Sequence, residues 1–325
     1  MLKVLLALVV LLGVAPNVRA GDALVFGLPS SGSAEAVYTM WQPLLDDMSR
    51  ALGRTVTPEV YDEYAGVVWA FRGGKAHLAW IGNKGAIEAV DRADVEVGAQ
   101  VVNSEGVGGY YSHLIVRKDS PLEDVADVLE QAPELTFGNG DPNSTSGSLV
   151  PGYFIFASRG LEPGELFKRM VQAGHEDNFL AVAAGEVDVA TNNSVDLQRL
   201  SKRYPEKHER IKIIWTSPLI PSDPIIWRQD LPDDLTEAIA SFLTGYGKPA
   251  KNKPPRQLAH ERAVLKKLTW SGFKRSDNSQ LVPIRKLKLF KKLLLAKSDA
   301  SLDDTERAKL VASIEEQLKA LESSQ

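Results

Sequence analysis

The chain has 325 residues, 42 acidic and 38 basic side chains, a formal charge of −4 and no cysteine. That balance does not suggest a basic nucleic-acid surface. The lack of cysteine excludes disulfides, thiolate nucleophiles and a lipidated N-terminal cysteine. The length is enough for one large or two ordinary domains, and two lobes are expected.

Met1, Leu2 and Lys3 precede an apolar run from Val4 to Val14, which closes on Val18, Arg19 and Ala20 ahead of Gly21 and Asp22. A short positive start, an apolar middle and a small-residue end are the marks of a secretory signal peptide over 1–20, cleaved after Ala20. The apolar run is too short to span a membrane. Loss of Lys3 and Arg19 would leave a mature chain of charge −6, most simply destined for the periplasm. An anionic ligand would then be held by local donors, not by the field of the whole protein.

From Leu24 to Leu28 an apolar run predicts a strand, and Val37, Trp41, Leu44, Leu45, Met48 and Leu52 share one helical face. Strand Val56 to Val60, helix Tyr64 to Arg72, strand His77 to Ile81, helix Gly85 to Ala93 and strands Val95 to Val102 and Ser112 to Arg117 follow. A second series has a helix to Gln131, strand Leu135 to Gly138, helices around Val150 to Ser158 and Leu166 to Val171, a helix near Phe179 to Ala184, strand Val187 to Thr191, helix Val195 to Arg203 and strand Ile211 to Trp215. The alternation predicts α/β layers around mostly parallel sheets. Tyr110 to Arg117 would lead out of the first lobe, and the proline-stiffened Ser217 to Trp227 would lead back. The expected division is 21–115 plus 221–280 for lobe 1, 116–220 for lobe 2, and 281–325 for a C-terminal helical tail packed on lobe 1. Two crossings make a hinge and put a ligand cleft between the lobes. Beyond Leu231 the chain is expected to be helical apart from a basic, proline-rich loop, Lys248 to Arg256. In the tail, Leu310, Ile314, Leu318 and Leu321 form a stripe that needs either its own lobe or a second copy to cover it.

The densest chemistry lies in residues 138–147, GNGDPNSTSG, directly after the strand-like Leu135, Thr136 and Phe137. Glycines let the backbone approach a ligand, a following helix offers free amides, and Ser144, Thr145 and Ser146 add neutral donors: an oxyanion site. The same residues also make good helix caps and turns, so the loop alone leaves both readings open. His77, His113, His175, His208 and His260 are scattered without metal-ligand spacing, and no metal or cofactor is expected. The loop lacks the GK[ST] ending of a nucleotide-binding loop, and no GxSxG elbow is present. A Ser144, His175, Asp223 hydrolase triad can be written, but any chain of this size supplies those three residue types.

With Leu149, Val150, Pro151, Gly152 and Tyr153 appended, the loop strongly resembles the phosphonate-binding PhnD family, the periplasmic component of phosphonate ABC importers. The resemblance extends to YAG at Tyr64 to Gly66, AWIGN at Ala79 to Asn83, EAVDRA at Glu88 to Ala93, AGHE at Ala173 to Glu176, VDVATNN at Val187 to Asn193, SPLIPSDPI at Ser217 to Ile225 and LVPIR at Leu281 to Arg285. It implies a type II periplasmic-binding-protein fold, hinge closure on the ligand, delivery to an inner-membrane permease, and no enzymatic activity. It also implies that Tyr64, Ser144, Thr145, Ser146 and His175 hold the phosphonate oxygens, with Tyr110 and Asp223 at the organic or amine end. A second carboxylate found in relatives that take 2-aminoethylphosphonate falls on Val195, beside Asp196, and Ile81 stands where close relatives carry an aromatic. The preferred phosphonate is therefore left open by the sequence. Relatives use their C-terminal helices in a dimer, which makes a homodimer through the tail an expectation here. An oxyanion-sensing receptor domain is the alternative on the same fold, and a periplasmic phosphoester hydrolase is the enzymatic one.

Overall fold

The computed structural model describes residues 22–30, 32–104 and 108–323. The expected leader and its cleavage point lie outside the described residues. Among the described residues no helix is long and apolar enough to cross a membrane.

The first lobe starts with β1 (Leu24–Pro29), α1 (Ala34–Leu52), β2 (Val56–Tyr61), α2 (Tyr64–Arg72), β3 (Leu78–Trp80), α3 (Asn83–Arg92) and β4 (Val95–Asn103). Helix α1 begins where the Ser33 hydroxyl accepts from the Ala36 amide, and it stops at Gly53, whose φ of 63° suits a residue without a Cβ. Its expected apolar face is buried: Val37, Trp41, Leu44, Leu45 and Met48 pack into the core. Such side chains contribute about 1.5–3 kcal/mol each on full burial.

The chain crosses through β5 (Gly109–Tyr110) into a second lobe of β6 (Ser112–Arg117), α4 (Val125–Gln131), β7 (Thr136–Asn139), a single turn α5 (Pro163–Leu166), β8 (Arg169–Gln172), α6 (His175–Ala184), β9 (Val189–Asn193), α7 (Ser194–Arg203), a single turn α8 (Pro205–His208) and β10 (Ile211–Thr216). It returns through β11 (Ile220–Pro221) to β12 (Pro224–Arg228), α9 (Asp233–Gly245), α10 (Pro255–Lys267) and β13 (Trp270–Arg275), and ends in α11 (Val282–Ser298) and α12 (Asp304–Ser323).

The first sheet has strand order β13-β4-β12-β3-β1-β2 and the second β10-β6-β9-β7-β8. β5 and β11 pair with each other, Tyr110 opposite Ile220, so the two crossings run side by side as a hydrogen-bonded ribbon. The sheets are mixed, not mostly parallel. β12 arrives from the other lobe and inserts antiparallel between β3 and β4, and β6 and β10 are antiparallel to their neighbours.

Three further differences from expectation have identifiable causes. Residues 166–171 were expected to be helical, but Arg169–Gln172 pairs in parallel with β7, so tertiary pairing overrides a weak apolar period. β13 lies in a stretch expected to be helical; Trp270 and Phe273 bury one face of it on the first core. The division drawn at 115/116 falls inside β6, all of which pairs in the second sheet, and the one at 220/221 falls inside the hinge ribbon.

The tail was expected on lobe 1, but α11 touches both lobes. Arg285 pairs with Asp91 at 2.7 Å and Lys288 with Glu88, both on α3, while Lys291 lies against Gly152 of the second lobe. Helix α12 sets Ile314 and Leu318 on Ala296, with Leu289, Leu293 and Leu310 around them. Contact within the chain therefore covers most of the apolar stripe.

Candidate functional site

The hydroxyl loop leaves β7 and is pinched shut by two glycines. The Gly140 amide donates to the Gly147 carbonyl at 3.0 Å, and a Cβ on Gly140 would come within 2.5 Å of the Gly147 Cα. Ser144 caps the turn that follows, its Oγ accepting from the Gly147 amide at 3.0 Å. The segment expected to be helical begins as a wide π-helical turn, Thr145–Leu149. Such wide turns are frequent at functional sites, and their first amides have no partner within the helix.

Around this loop other helix starts converge. α2 begins at Tyr64, α3 at Asn83 and α6 at His175, and none of the three is capped by the side chain of the residue that precedes it. Together with the turn at Thr145, their positive ends favour an anion. A cleft of about 320 Å³ opens here, lined among others by Tyr64, Asp141, Ser144, Gly174 and His175.

The two lobes meet across the site. The Tyr64 amide donates to Asp141 Oδ2 at 3.2 Å and the Lys84 amide to Thr145 Oγ1 at 2.8 Å. The Lys84 ammonium also donates to the Pro142 carbonyl. Burial, with the charges of Lys291 and Lys288, brings that ammonium down to about 8. Gly82 sits at the junction, where a Cβ would be 3.3 Å from Tyr64, 3.4 Å from Thr145 and 3.9 Å from Asp223.

Each residue expected in the site lies in this junction. Ser144, Thr145, Ser146 and His175 are buried, as are Tyr64 and Tyr110. Burial, and after it the charge of Asp223, pushes both phenols well above their ordinary range, so they are hydrogen donors at neutral pH. His175 Nε2 lies 3.4 Å from Ser146 Oγ. Burial holds its ring below the usual histidine range, hence neutral, and its Nδ1 is buried with no partner among the described residues. An unpaired buried nitrogen costs free energy unless a ligand meets it.

At the other end, Asp223 Oδ1 accepts from Tyr110 OH and from Asn83 Nδ2, both at 3.1 Å. Burial raises this carboxylate to about 7 despite those two donors. Val195 and Ile81 pack in one apolar cluster with Tyr64 and Tyr110. Asp196 is engaged elsewhere: it accepts from Asn193 Nδ2 at 2.8 Å and pairs with Arg199 at 3.3 Å. Sequence reasoning quoted Asn83 and Asp141 inside motifs without giving either a role. Their positions at a helix start and in the hydroxyl loop were visible signals; their partners, distant in sequence, were not.

The fold and the interlobe cleft define a two-lobe binding protein of the periplasmic-binding class. The chain belongs to the family of periplasmic substrate-binding proteins of phosphonate ABC transporters, whose model matches residues 26–281. It is 45% identical over 300 residues to the phosphonates-binding periplasmic protein of Escherichia coli K12, covering 92% of this chain and 86% of that protein. The crystal structure of a binding protein component of a phosphonate ABC transporter from Pseudomonas aeruginosa superposes with a TM-score of 0.89 at 43% identity, covering 94% of this chain and 98% of the other. A Prochlorococcus marinus protein in complex with methylphosphonate shares the fold at a TM-score of 0.71 and 21% identity, covering 83% and 98% of the two chains.

Proposed function

We propose that this chain captures a small alkyl- or aminoalkylphosphonate between its lobes in the periplasm and presents the closed form to the inner-membrane permease of an importer. The observation that carries this reading is the assembly of neutral donors, Tyr64, Ser144, Thr145, Ser146 and His175, where helix starts from both lobes converge. Hydrogen bonds to a charged group are worth about 1.5–3 kcal/mol net, so four or five reach the roughly 8 kcal/mol of micromolar binding after ordering costs. Because Tyr64 comes from the first lobe and the hydroxyl loop from the second, one oxyanion bridges them and favours the closed population. Tyr110 and Asp223 face the organic substituent, and an ammonium there would pair with Asp223.

The geometry supports binding over hydrolysis. Ser144 Oγ accepts from the Gly147 amide, His175 approaches Ser146 instead, and Asp223 is held by Tyr110 and Asn83. A triad needs its base on the nucleophile and its carboxylate on the base. Isothermal titration of the mature protein with 2-aminoethylphosphonate, methylphosphonate, phosphate and phosphite tests the reading. Saturable binding of a phosphonate, tighter than that of phosphate, is expected. Turnover of a phosphoester without binding of any phosphonate would overturn it in favour of the hydrolase.

A further inference from the structure

At the organic end of the cleft Asp223 is bonded to Tyr110, and Tyr110 belongs to the apolar cluster that also holds Tyr64, Ile81 and Val195. Val195 lies in the first turn of α7, and the residue four positions on is Arg199. Residues four apart share a helix face, and side chains on a helix lean toward its N-terminus. Arg199 therefore reaches back over the turn that carries Val195, as its bond to Asp196, three residues earlier, shows. A permanent cation thus stands behind the apolar wall of the substituent site.

This guanidinium is incompletely satisfied for a side chain only 16% exposed. One terminal nitrogen donates to the Leu268 carbonyl at 2.9 Å. The other meets Asp196 at 3.3 Å, long beside the roughly 2.7–2.9 Å of a tight charge-assisted bond. Asp196 has a nearer partner in Asn193 Nδ2 at 2.8 Å. Arg199 Nε is buried with no partner among the described residues. A buried donor left unmet costs free energy, and the planar guanidinium fork is shaped to receive a carboxylate. The charge of Arg199 is also felt in the site. Burial dominates the titration of both Asp223 and His175, but Asp196 acts on both to raise them and Arg199 to lower them.

We infer that the substituent end is suited to a phosphonate that carries both an ammonium and a carboxylate, an amino-acid phosphonate, with the ammonium on Asp223 and the carboxylate on Arg199 Nε. The inference rests on the phosphonate reading above and narrows its substrate class. A simple aminoalkylphosphonate satisfies Asp223 but leaves the Arg199 donor unmet, and an alkylphosphonate satisfies neither. The zwitterionic substituent matches one negative and one positive group, and Val195 places no charge between them.

The test is isothermal titration with 2-amino-3-phosphonopropionate, 2-aminoethylphosphonate, 3-phosphonopropionate and methylphosphonate. The amino-acid phosphonate is expected to bind about 10- to 100-fold tighter than 2-aminoethylphosphonate, the range of one charge-assisted hydrogen bond. It should also bind tighter than 3-phosphonopropionate, which brings no ammonium to Asp223. Arg199→Gln removes the cation and should erase the preference over 2-aminoethylphosphonate. A purely structural Arg199 would weaken all four ligands alike and keep their ratios, which overturns the assignment. Val195→Asp is an independent check that leaves Arg199 in place. Its new negative charge should move the preference toward 2-aminoethylphosphonate by at least about tenfold. An unshifted ratio in that variant overturns the inference. So does binding of 2-aminoethylphosphonate or 3-phosphonopropionate to the unmodified protein as tightly as the amino-acid phosphonate. If none of the four binds the unmodified protein, the phosphonate reading itself fails and this inference with it.

Discussion

In the proposed binding mode the two ends of the cleft solve opposite problems. The anion end is built from neutral donors and helix starts concentrated in one loop and three helix N-termini, and it presents a redundant set of hydrogen-bond donors. The organic end depends on one ionisable group, Asp223, drawn from the short link between β11 and β12 and steadied by Tyr110 and Asn83 from two other segments. Redundant neutral donors make oxyanion recognition tolerant of pH and of single changes. A single enclosed carboxylate makes the choice of substituent sensitive to both.

The largest effect should come from stripping the anion end. Replacing Ser144, Thr145 and Ser146 by alanine together removes three donors to a charged group, about 1.5–3 kcal/mol each, and is expected to weaken every phosphonate at least a thousandfold. Thr145 also accepts the Lys84 amide across the lobes, so the variant should close less readily as well. Titration calorimetry with methylphosphonate checks this. A loss of less than tenfold would show that the hydroxyls serve the turn and that the helix amides alone bind the anion.

The next effect separates the two ends. Asp223→Asn keeps the shape of the side chain but removes its charge, so an aminoalkylphosphonate should lose about 10- to 100-fold in affinity, in keeping with about 1.5–3 kcal/mol for a charge-assisted contact. Methylphosphonate should change by no more than a few fold. Equal losses for both ligands would mean that Asp223 only positions Tyr110 and Asn83, and that the amine selectivity lies elsewhere. Val195 makes this a demanding test, because no second carboxylate is offered there and Asp196 is committed to Arg199 and Asn193.

The same contrast explains what was legible in the sequence. The hydroxyl loop is contiguous and follows a strand, so its glycines, hydroxyls and helix start could be read together as an oxyanion site or a cap. Tyr64 and His175 were found only through family resemblance, because a lone tyrosine and a lone histidine are ordinary core residues by pattern alone. The organic end was the hardest to read, since Asn83, Tyr110, Val195 and Asp223 meet only after two hinge crossings. In the fold, α1 was evident from its 3.6-residue period, and the structure adds the Ser33 and Gly53 caps that bound it. β8 and β13 were missed because neither alternates cleanly; parallel pairing and burial of Trp270 and Phe273 define them. The antiparallel insertion of β12 depends on the return crossing, which no local pattern encodes.

The smallest and most diagnostic effect is in pH. Asp223 is held up to about 7 in the ligand-free protein, against an ordinary value of 3.8, so a large fraction of it is protonated near neutrality. An ammonium ligand needs it ionised and must expel that proton, so affinity for 2-aminoethylphosphonate should fall as pH drops through 7. Methylphosphonate makes no such demand. His175, neutral in its buried site, gains a proton more readily beside a bound oxyanion, which strengthens both ligands alike at lower pH. Ionisation of the phosphonate group itself acts on both in a similar way. The ratio of the two affinities therefore isolates Asp223. It should fall about tenfold from pH 8 to pH 6, approaching one proton per pH unit, and should be flat in Asp223→Asn. Stability without ligand should carry the same signature. Because the folded state binds the Asp223 proton more tightly than the unfolded chain, this group lowers stability as pH rises from about 4 to about 7, and Asp223→Asn should raise the Tm at pH 8 by about 2–4 °C. A ratio independent of pH in the unmodified protein would show that Asp223 is already ionised or does not face the ligand. Discrimination at the organic end would then rest on shape alone, on Val195 and Ile81 beside Tyr110.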